Sequence, residues 1–304
     1  MEVLISMVIT YLCVMLAVGY FTLMERKVLG GVQLRKGPNK VGVAGILQPI
    51  ADGLKLLSKQ YFYPARSNKL SFYLAPAMFF VLSLMLWHVS PMYFPATYFL
   101  YGVLFFLCVS SISVFGVLVA GWASNSKYAI MGAVRGAAQT ISYEVSFSLL
   151  LLFCVFGQGG FCVGGGGKEM VWAVLGLPLF LMFLTTVLAE TNRTPFDLVE
   201  GESELVSGYN VEYGGLGFTL IFIAEYSSML FMSSMGSMMW LGGFSACFVA
   251  GPPVLVAKTL ALCYFFVITR GALPRFRYDL LMGLTWKSFL PASLVGVVVM
   301  LALN

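Results

Sequence analysis

The sequence predicts an all-α polytopic membrane protein, and its composition and its hydropathy pattern both support that class. Of the 304 residues, 60% are hydrophobic and 10% are charged, whereas soluble proteins carry roughly 25% charged residues. The mean hydropathy is +0.90, which leaves too little polar surface to cover a globule in water. Several long apolar runs reach the ~20 residues that a helix needs to cross a hydrocarbon core of about 30 Å.

About eight such spans are predicted, and they form one membrane domain, 1–304, without an internal repeat. The first run is too long for the core of a signal peptide and has no basic segment before it, so it is interpreted as a retained span. The runs do not alternate polar and apolar residues, which argues against outer-membrane strands. The predicted spans are Val3–Met24, Leu70–Val89, Tyr98–Trp122, Gly136–Phe156, Met170–Leu188, Tyr213–Met235, Gly242–Ile268 and Trp286–Leu303.

Basic residues predict the orientation of these spans. The first, third, fifth and seventh loops contain nine, two, one and four of the 18 Lys and Arg residues. Loops rich in Lys and Arg stay on the inner side of a membrane. We therefore expect these four loops to face inward and both termini to lie on the opposite side.

The first inner loop contains a predicted amphipathic helix at Ile46–Tyr61. Its apolar residues recur three or four positions apart, while Asp52, Lys55 and Lys59 occupy the other face. Such a helix lies along the membrane surface. We expect Lys55, one turn after Asp52, to keep that carboxylate ionised.

Ionisable residues inside the spans are candidate functional groups because burying them in hydrocarbon costs several kcal/mol. Glu144, Glu225 and Lys258 fall within the fourth, sixth and seventh spans. One interpretation is proton transfer through the carboxyl groups. The other is a structural Glu–Lys pair that locks helices together without titrating.

The fifth-to-sixth loop concentrates acidic residues on the otherwise basic side. Six of the 13 acids fall between Glu190 and Glu212, interleaved with aromatic and aliphatic residues. That mixture indicates a folded loop whose carboxyl groups have raised pKa values, since burial and neighbouring negative charge both disfavour ionisation. The acids are Glu190, Asp197, Glu200, Glu202, Glu204 and Glu212.

The cysteines and basic residues exclude several other functions. None of the six cysteines is paired at a metal-ligand spacing, and His88 is the single histidine, so iron–sulfur, zinc and bis-histidine haem sites are not expected. No glycine-rich fingerprint for a nicotinamide or flavin cofactor is present. The basic residues are too few and too dispersed for a nucleic-acid surface.

A set of motifs spread over the whole chain resembles one protein family. The motifs are MERKVLG at 24–30, QLRKGPN at 33–39, GWASNSKY at 121–128, AQTISYEV at 138–145, AETNRTPFDL at 189–198, EGESELVSG at 200–208 and PRFRYD at 274–279. Together they resemble the family of membrane subunit 1 of NADH–ubiquinone oxidoreductase (respiratory complex I) in its mitochondrial form. Three positions depart from the family pattern: Gln60 stands for Glu, Tyr209 for Phe and Leu280 for Gln.

The resemblance implies a subunit at the heel of a membrane arm in the mitochondrial inner membrane. Its partners would be matrix-arm quinone-module subunits, neighbouring membrane-arm subunits, ubiquinone and lipids, with no nucleic acid. FMN and the iron–sulfur clusters would belong to partner subunits, so this chain would bind no cofactor and the isolated chain would catalyse nothing. Both termini would then face the intermembrane space.

The resemblance also implies roles for individual residues. Arg193 and Asp197 would organise the acidic loop. Residues along the quinone tunnel would be Arg26, Arg35, Asp52, Arg275 and Arg277. The proton route would comprise Glu144, Glu190, Glu202, Glu204, Glu212 and Glu225. A stand-alone proton-coupled transporter and the membrane subunit of a related membrane-bound hydrogenase are the two alternatives.

Overall fold

A computed structural model shows the all-α architecture that the composition predicts. It describes residues 2–60, 62–90, 99–163, 171–199, 201, 206–245 and 251–303. Within these ranges the regular structure is helical, and seven helices are long and apolar enough to cross a membrane. An eighth apolar helix, Leu177–Glu190, is shorter. The prediction of a polytopic helical membrane protein is confirmed.

The described ranges contain ten α-helices. Three-residue 3-10 turns occur at Val43–Gly45, Trp87–Val89 and Gly208–Asn210, and a π-helical turn interrupts the last helix at Thr285–Phe289. The helices are α1 (Glu2–Val32), α2 (Gln48–Ser58), α3 (Lys69–Leu86), α4 (Gly102–Ser124), α5 (Lys127–Gln158), α6 (Trp172–Leu175), α7 (Leu177–Glu190), α8 (Gly215–Met239), α9 (Pro252–Ala272) and α10 (Tyr278–Leu303).

Several helices extend beyond the spans expected from hydropathy. Helix α1 continues eight residues past Met24, α5 begins nine residues before Gly136, and α10 begins eight residues before Trp286. Hydropathy marks the part of a helix that suits hydrocarbon, whereas the backbone hydrogen bonds of the helix continue into its polar ends. The ends of these helices that adjoin the basic loops therefore place charged residues on rigid elements.

The helix of the seventh predicted span starts later than predicted. It begins at Pro252, ten residues after Gly242. Gly242 and Gly243 have φ values of 73° and 52°, a left-handed conformation that breaks a helix. Pro252 and Pro253 then start α9 at positions where a missing N–H costs nothing. The fifth span is likewise divided at Gly176, which separates α6 from α7.

The bundle is held together by close helix crossings at small residues. Helix α5 packs on α4, α7 and α10, while α8 packs on α1, α3 and α9. A Cβ added to Gly121 of α4 would lie 2.3 Å from the Cβ of Ala133 on α5, and one added to Gly132 would lie 2.9 Å from the backbone of Gly208. Small residues let membrane helices approach closely where no hydrophobic effect drives them together.

The amphipathic helix of the first inner loop is present as α2, somewhat shorter than the predicted Ile46–Tyr61. It packs on α1 and α8 but leaves Ile50, Leu54 and Leu57 more than half exposed. Tyr61, the predicted end of the apolar stripe, lies outside the described residues. The exposed apolar stripe is the surface expected of a helix at a membrane interface.

Replacing Gly121 by alanine should weaken the packing of α4 on α5, because the added Cβ would overlap Ala133. Overpacking of this kind costs about 1–3 kcal/mol. Gly31→Ala on α1 is the matched control, since a Cβ there meets nothing within 4 Å. Thermal unfolding of the solubilised protein should show a lower midpoint for Gly121→Ala only. Equal midpoints for the two variants would contradict the close crossing.

Candidate functional site

A buried charge network joins the three membrane helices α1, α8 and α9, and Glu25 of α1 lies at its centre. The residue is 5% exposed. Its Oε1 accepts a hydrogen bond from Arg270 of α9, and its Oε2 accepts one from the hydroxyl of Tyr226 on α8. Arg193 approaches the same carboxylate, with Nη1 3.8 Å from Oε1. We call these four side chains the Glu25 network.

Arg193 connects this network to the loop that follows α7. Its guanidinium carbon lies 4.2 Å from the centre of the Tyr226 ring, in a cation–π contact. Burial alone lowers the pKa of Arg193, but Tyr226, Glu25 and Glu225 raise it by more, so the net shift is upward. The guanidinium therefore stays charged inside the protein and attracts carboxylates from two sides.

Sequence reasoning missed three of the four residues in the Glu25 network. Glu25 directly follows the first apolar run and Arg270 closes the seventh, so both could be explained as ordinary charges at a membrane interface. Tyr226 carries no charge that would single it out. The sequence position of Glu25 could have indicated its role, because an acidic residue between an apolar span and a basic loop is unusual.

A second ion pair attaches α2 to α1. Arg26 Nη1 lies 2.6 Å from Asp52 Oδ2, and Gln48 donates a hydrogen bond of 2.8 Å to Asp52 Oδ1. The sequence predicts Lys55 as the partner of Asp52. In the structure Arg26 and Gln48 bind the Asp52 carboxylate instead. Arg35 is exposed in the loop between α1 and α2.

A third contact joins the acidic loop to the segment before α10. Arg275 Nη2 lies 3.2 Å from Asp197 Oδ2, and the Phe276 amide donates to the Pro195 carbonyl at 3.0 Å. Arg277 instead pairs with Asp279 at 3.0 Å, and both of these side chains are largely exposed. The structure therefore separates the two predicted tunnel arginines, one bound to the loop and one at the surface.

The carboxyl groups of Glu190 and Glu225 line one internal cavity of about 80 Å³. Five helices, α3, α4, α5, α7 and α8, contribute to its wall. Tyr209 donates a hydrogen bond of 2.6 Å to Glu225 Oε1, so the departure from the family pattern at this position supplies a donor. Glu190 Oε2 is buried without a hydrogen-bond partner in the described part of the chain.

The other predicted acids occupy different positions. Glu144 lies on α5, close enough to Glu190 for the two charges to interact. Glu212 lies in the turn before α8 and is half-buried. Glu202 and Glu204, like Glu200, lie outside the described residues, so their place in the predicted route stays a prediction.

Lys258 is bound by backbone carbonyls at the end of α8. Its Nζ donates to Leu241 O at 2.6 Å, to Gly243 O at 3.0 Å and to Ser245 O. This placement argues against the alternative in which Lys258 forms a structural pair with Glu225. Three carbonyls around one ammonium satisfy its three donors and fix the turn that precedes α9.

The described residues contain no cluster of three or more His, Cys, Asp or Glu side chains suited to a metal ion. What the described residues form instead is the buried charge network around Glu25 and a cavity lined by Glu190 and Glu225, which adjoin each other at α8. Carboxyl groups beside such a cavity can hold exchangeable protons.

The fold and these sites define a multi-pass membrane protein with an interior line of carboxyl groups. The NADH dehydrogenase family profile matches residues 5–301. Relatives named NADH-ubiquinone oxidoreductase chain 1 include that of Aedes aegypti, 50% identical over 96% of this chain and 92% of the relative. The Salmo salar protein of the same name is 49% identical over 95% and 91%. The chain belongs to the NADH dehydrogenase family, and the resemblance drawn from the motifs is confirmed.

Removing the carboxylate of Glu25 should destabilise the protein, because the buried Arg193 guanidinium and the partly exposed Arg270 guanidinium would lose the carboxylate that they share. Breaking one member of a buried ion pair costs about 3–5 kcal/mol, and we expect the lower end since Arg270 is partly exposed. Asp279→Ala breaks an exposed pair, which is worth about 0–1 kcal/mol. The unfolding midpoint of the solubilised protein should fall clearly for Glu25→Ala alone; a similar small change in both would contradict the network.

Proposed function

We propose that this chain is the membrane subunit that couples ubiquinone reduction to proton movement in NADH–ubiquinone oxidoreductase of the mitochondrial inner membrane. The family and the names of its relatives support the enzyme, and they favour it over a transporter or a hydrogenase subunit. The observation that carries the coupling role is the cavity that brings Glu190 and Glu225 together inside the helix bundle.

In this proposal the first inner loop and the inner helix ends frame the access tunnel for ubiquinone. The Arg26–Asp52 pair fixes α2 against α1, and the exposed apolar stripe of α2 suits an entrance for an apolar tail. Arg35, Arg275 and Arg277 supply positive charge on the same side. FMN and the iron–sulfur clusters would reside on partner subunits of the matrix arm, with both termini of this chain in the intermembrane space.

The electrical link between the tunnel and the cavity runs through α8. Tyr226 belongs to the Glu25 network, whereas the adjacent Glu225 lines the cavity. Arg193 interacts electrostatically with both Glu25 and Glu225. Reduction of the quinone to the quinol takes up two electrons and two protons, and the quinol is neutral. When the electrons arrive before the protons, a negatively charged quinone intermediate would change the charge near the Glu25 network during each turnover. Arg193 would transmit that change to Glu225.

Protons then move along the carboxyl groups. The proposed route runs from the acidic loop with Glu202, Glu204 and Glu212 to Glu190, and from there to Glu144 and Glu225. Interacting carboxyl groups release and take up protons as a coupled set rather than singly. The cavity supplies the space in which Glu190 and Glu225 can exchange a proton.

Glu225→Gln and Glu190→Gln test the proton role, because glutamine preserves size and hydrogen bonding but removes the titratable proton. We expect NADH–ubiquinone turnover and proton pumping to fall together, by about a hundredfold if the carboxyl group is a positioned proton carrier. NADH–ferricyanide reduction, which takes electrons before the quinone, reports intact electron input, and co-migration of the chain with the NADH-oxidising complex reports assembly. Normal turnover with a full proton-to-electron ratio in Glu225→Gln would overturn the proposal.

Asp52→Leu tests the proposed role of α2 in the access tunnel for ubiquinone. Loss of the Arg26–Asp52 pair should loosen α2 and impair ubiquinone reduction severalfold, while ferricyanide reduction is unchanged. Lys55→Leu is the matched control, since it makes the same kind of change one turn further along α2, on an exposed side chain. Equal loss of both activities in Asp52→Leu would show that α2 serves assembly only.

A further inference from the structure

An open groove of about 440 Å³ lies between α3, α4 and α5, separate from the cavity of Glu190 and Glu225. Its lining includes one residue near an end of each helix. Ser71 is two residues after the start of α3, Trp122 two before the end of α4, and Ile130 three after the start of α5. The groove therefore lies at the end of the bundle that adjoins the first and third loops.

The wall of this groove is mostly apolar and faces away from the bundle. Trp122 is 71% exposed and Val134 is 56% exposed, and Leu118 lies in the same wall. The Ser71 hydroxyl donates to Asn68 O at 3.0 Å. All three helices are long and apolar enough to cross a membrane, and exposed tryptophan is typical of the membrane–water interface. The groove is therefore suited to hydrocarbon at one edge of the membrane.

Three basic residues lie beside the groove, and we call them the groove cations. Arg66 precedes α3 by three residues, Lys69 is the first residue of α3, and Lys127 is the first residue of α5. All three are exposed, and none forms an ion pair with another residue that the structure describes. Lys69 Nζ lies 4.8 Å from the centre of the Tyr63 ring, a cation–π contact that leaves its positive charge without a counterion.

Two hydrogen bonds hold the groove cations close together. The Asn68 amide donates to Ala123 O at 3.1 Å, and Asn125 Nδ2 donates to Arg66 O at 3.1 Å. These bonds fasten the segment before α3 to the turn between α4 and α5. The other two groove cations are one and two residues from a bonded position. Positive charges held together without a counterion repel one another, so this end of the groove favours an anion.

We infer that the groove and its cations bind an anionic phospholipid from the leaflet on the side of the basic loops. The phosphate would lie among the groove cations, which attract anionic lipids as juxtamembrane basic residues do. One acyl chain would extend along Leu118 and Val134. A single anionic phospholipid supplies both the negative charge and the hydrocarbon, whereas an apolar helix of another chain would leave the cations without a counterion. The inference does not rest on the proposed function.

The test uses the assembled oxidoreductase in phosphatidylcholine vesicles with a small, subsaturating fraction of phosphatidylglycerol that carries a diazirine on its acyl chain. After illumination, mass spectrometry of the peptides locates the label. We expect label on residues 118–134, and less of it when unlabelled phosphatidylglycerol competes. A phosphatidylcholine probe with the same chain should label this segment about fivefold less or weaker still. Equal labelling by both probes would overturn the inference, as would label on a neighbouring subunit in place of this segment.

Lys69→Gln with Lys127→Gln tests the role of the positive charges. Labelling of the segment by the anionic probe should fall by about fivefold for each lysine removed, while labelling by the phosphatidylcholine probe is unchanged. Lys36→Gln with Lys40→Gln is the matched control, because it removes two charges from exposed lysines of the first loop that do not line the groove. An equal fall in the control would attribute the attraction to general surface charge and would refute the site.

Val134→Trp tests the groove itself, because the larger side chain would fill the space of the acyl chain. Met131→Trp is its control, since Met131 is 51% exposed on the same helix but does not line the groove. Only Val134→Trp should reduce labelling by the anionic probe, and normal labelling in that variant would refute the inference. Co-migration of the chain with the NADH-oxidising complex reports assembly. If the double lysine variant does not assemble, the comparison of Val134→Trp with Met131→Trp decides.

Discussion

The carboxylate of Glu25 is the interaction on which the inner half of the structure depends. Transferring one charge from water into a protein interior costs several kcal/mol, and the cost is recovered only when partners surround it. Here the partners come from separate parts of the chain: Arg270 on α9, Tyr226 on α8 and Arg193 in the loop after α7. Because each partner needs the others, the three helices and the loop must take up one relative arrangement.

That arrangement brings two polar regions next to each other at α8. The Glu25 network, near the pair of Arg26 and Asp52 that attaches α2, includes Tyr226, and the adjacent Glu225 lines the cavity together with Glu190. Arg193 interacts electrostatically with both Glu25 and Glu225. In the proposed function, a change of charge at the quinone would reach the cavity through this electrostatic contact.

Much of this could be predicted from the sequence, and the physical reasons are plain. Hydropathy alone identifies membrane helices, because a span in hydrocarbon must bond its own backbone. Buried carboxyl groups such as Glu225 stand out because charges are rare in spans. Helix ends were less predictable: α1 and α5 continue beyond their apolar parts, and the glycines at 242 and 243 delay the start of α9.

The partners of the charged groups could not be predicted in the same way. Ion pairs depend on tertiary contacts, which the sequence does not show. The sequence predicts the nearby Lys55 as the partner of Asp52, whereas Arg26 binds it in the structure. Tyr209 was visible only as a departure from the family, and its hydrogen bond to Glu225 needed coordinates.

In the proposed function, carboxyl groups around the cavity change protonation when the quinone is reduced. Infrared difference spectroscopy of the assembled oxidoreductase, before and after reduction by NADH, measures this change directly through the C=O stretch of protonated carboxyl groups. We expect a carboxyl difference band that shifts in D₂O and is lost in Glu190→Gln or Glu225→Gln, while the quinone bands remain. A carboxyl band that is unchanged in both variants would show that these groups do not change protonation.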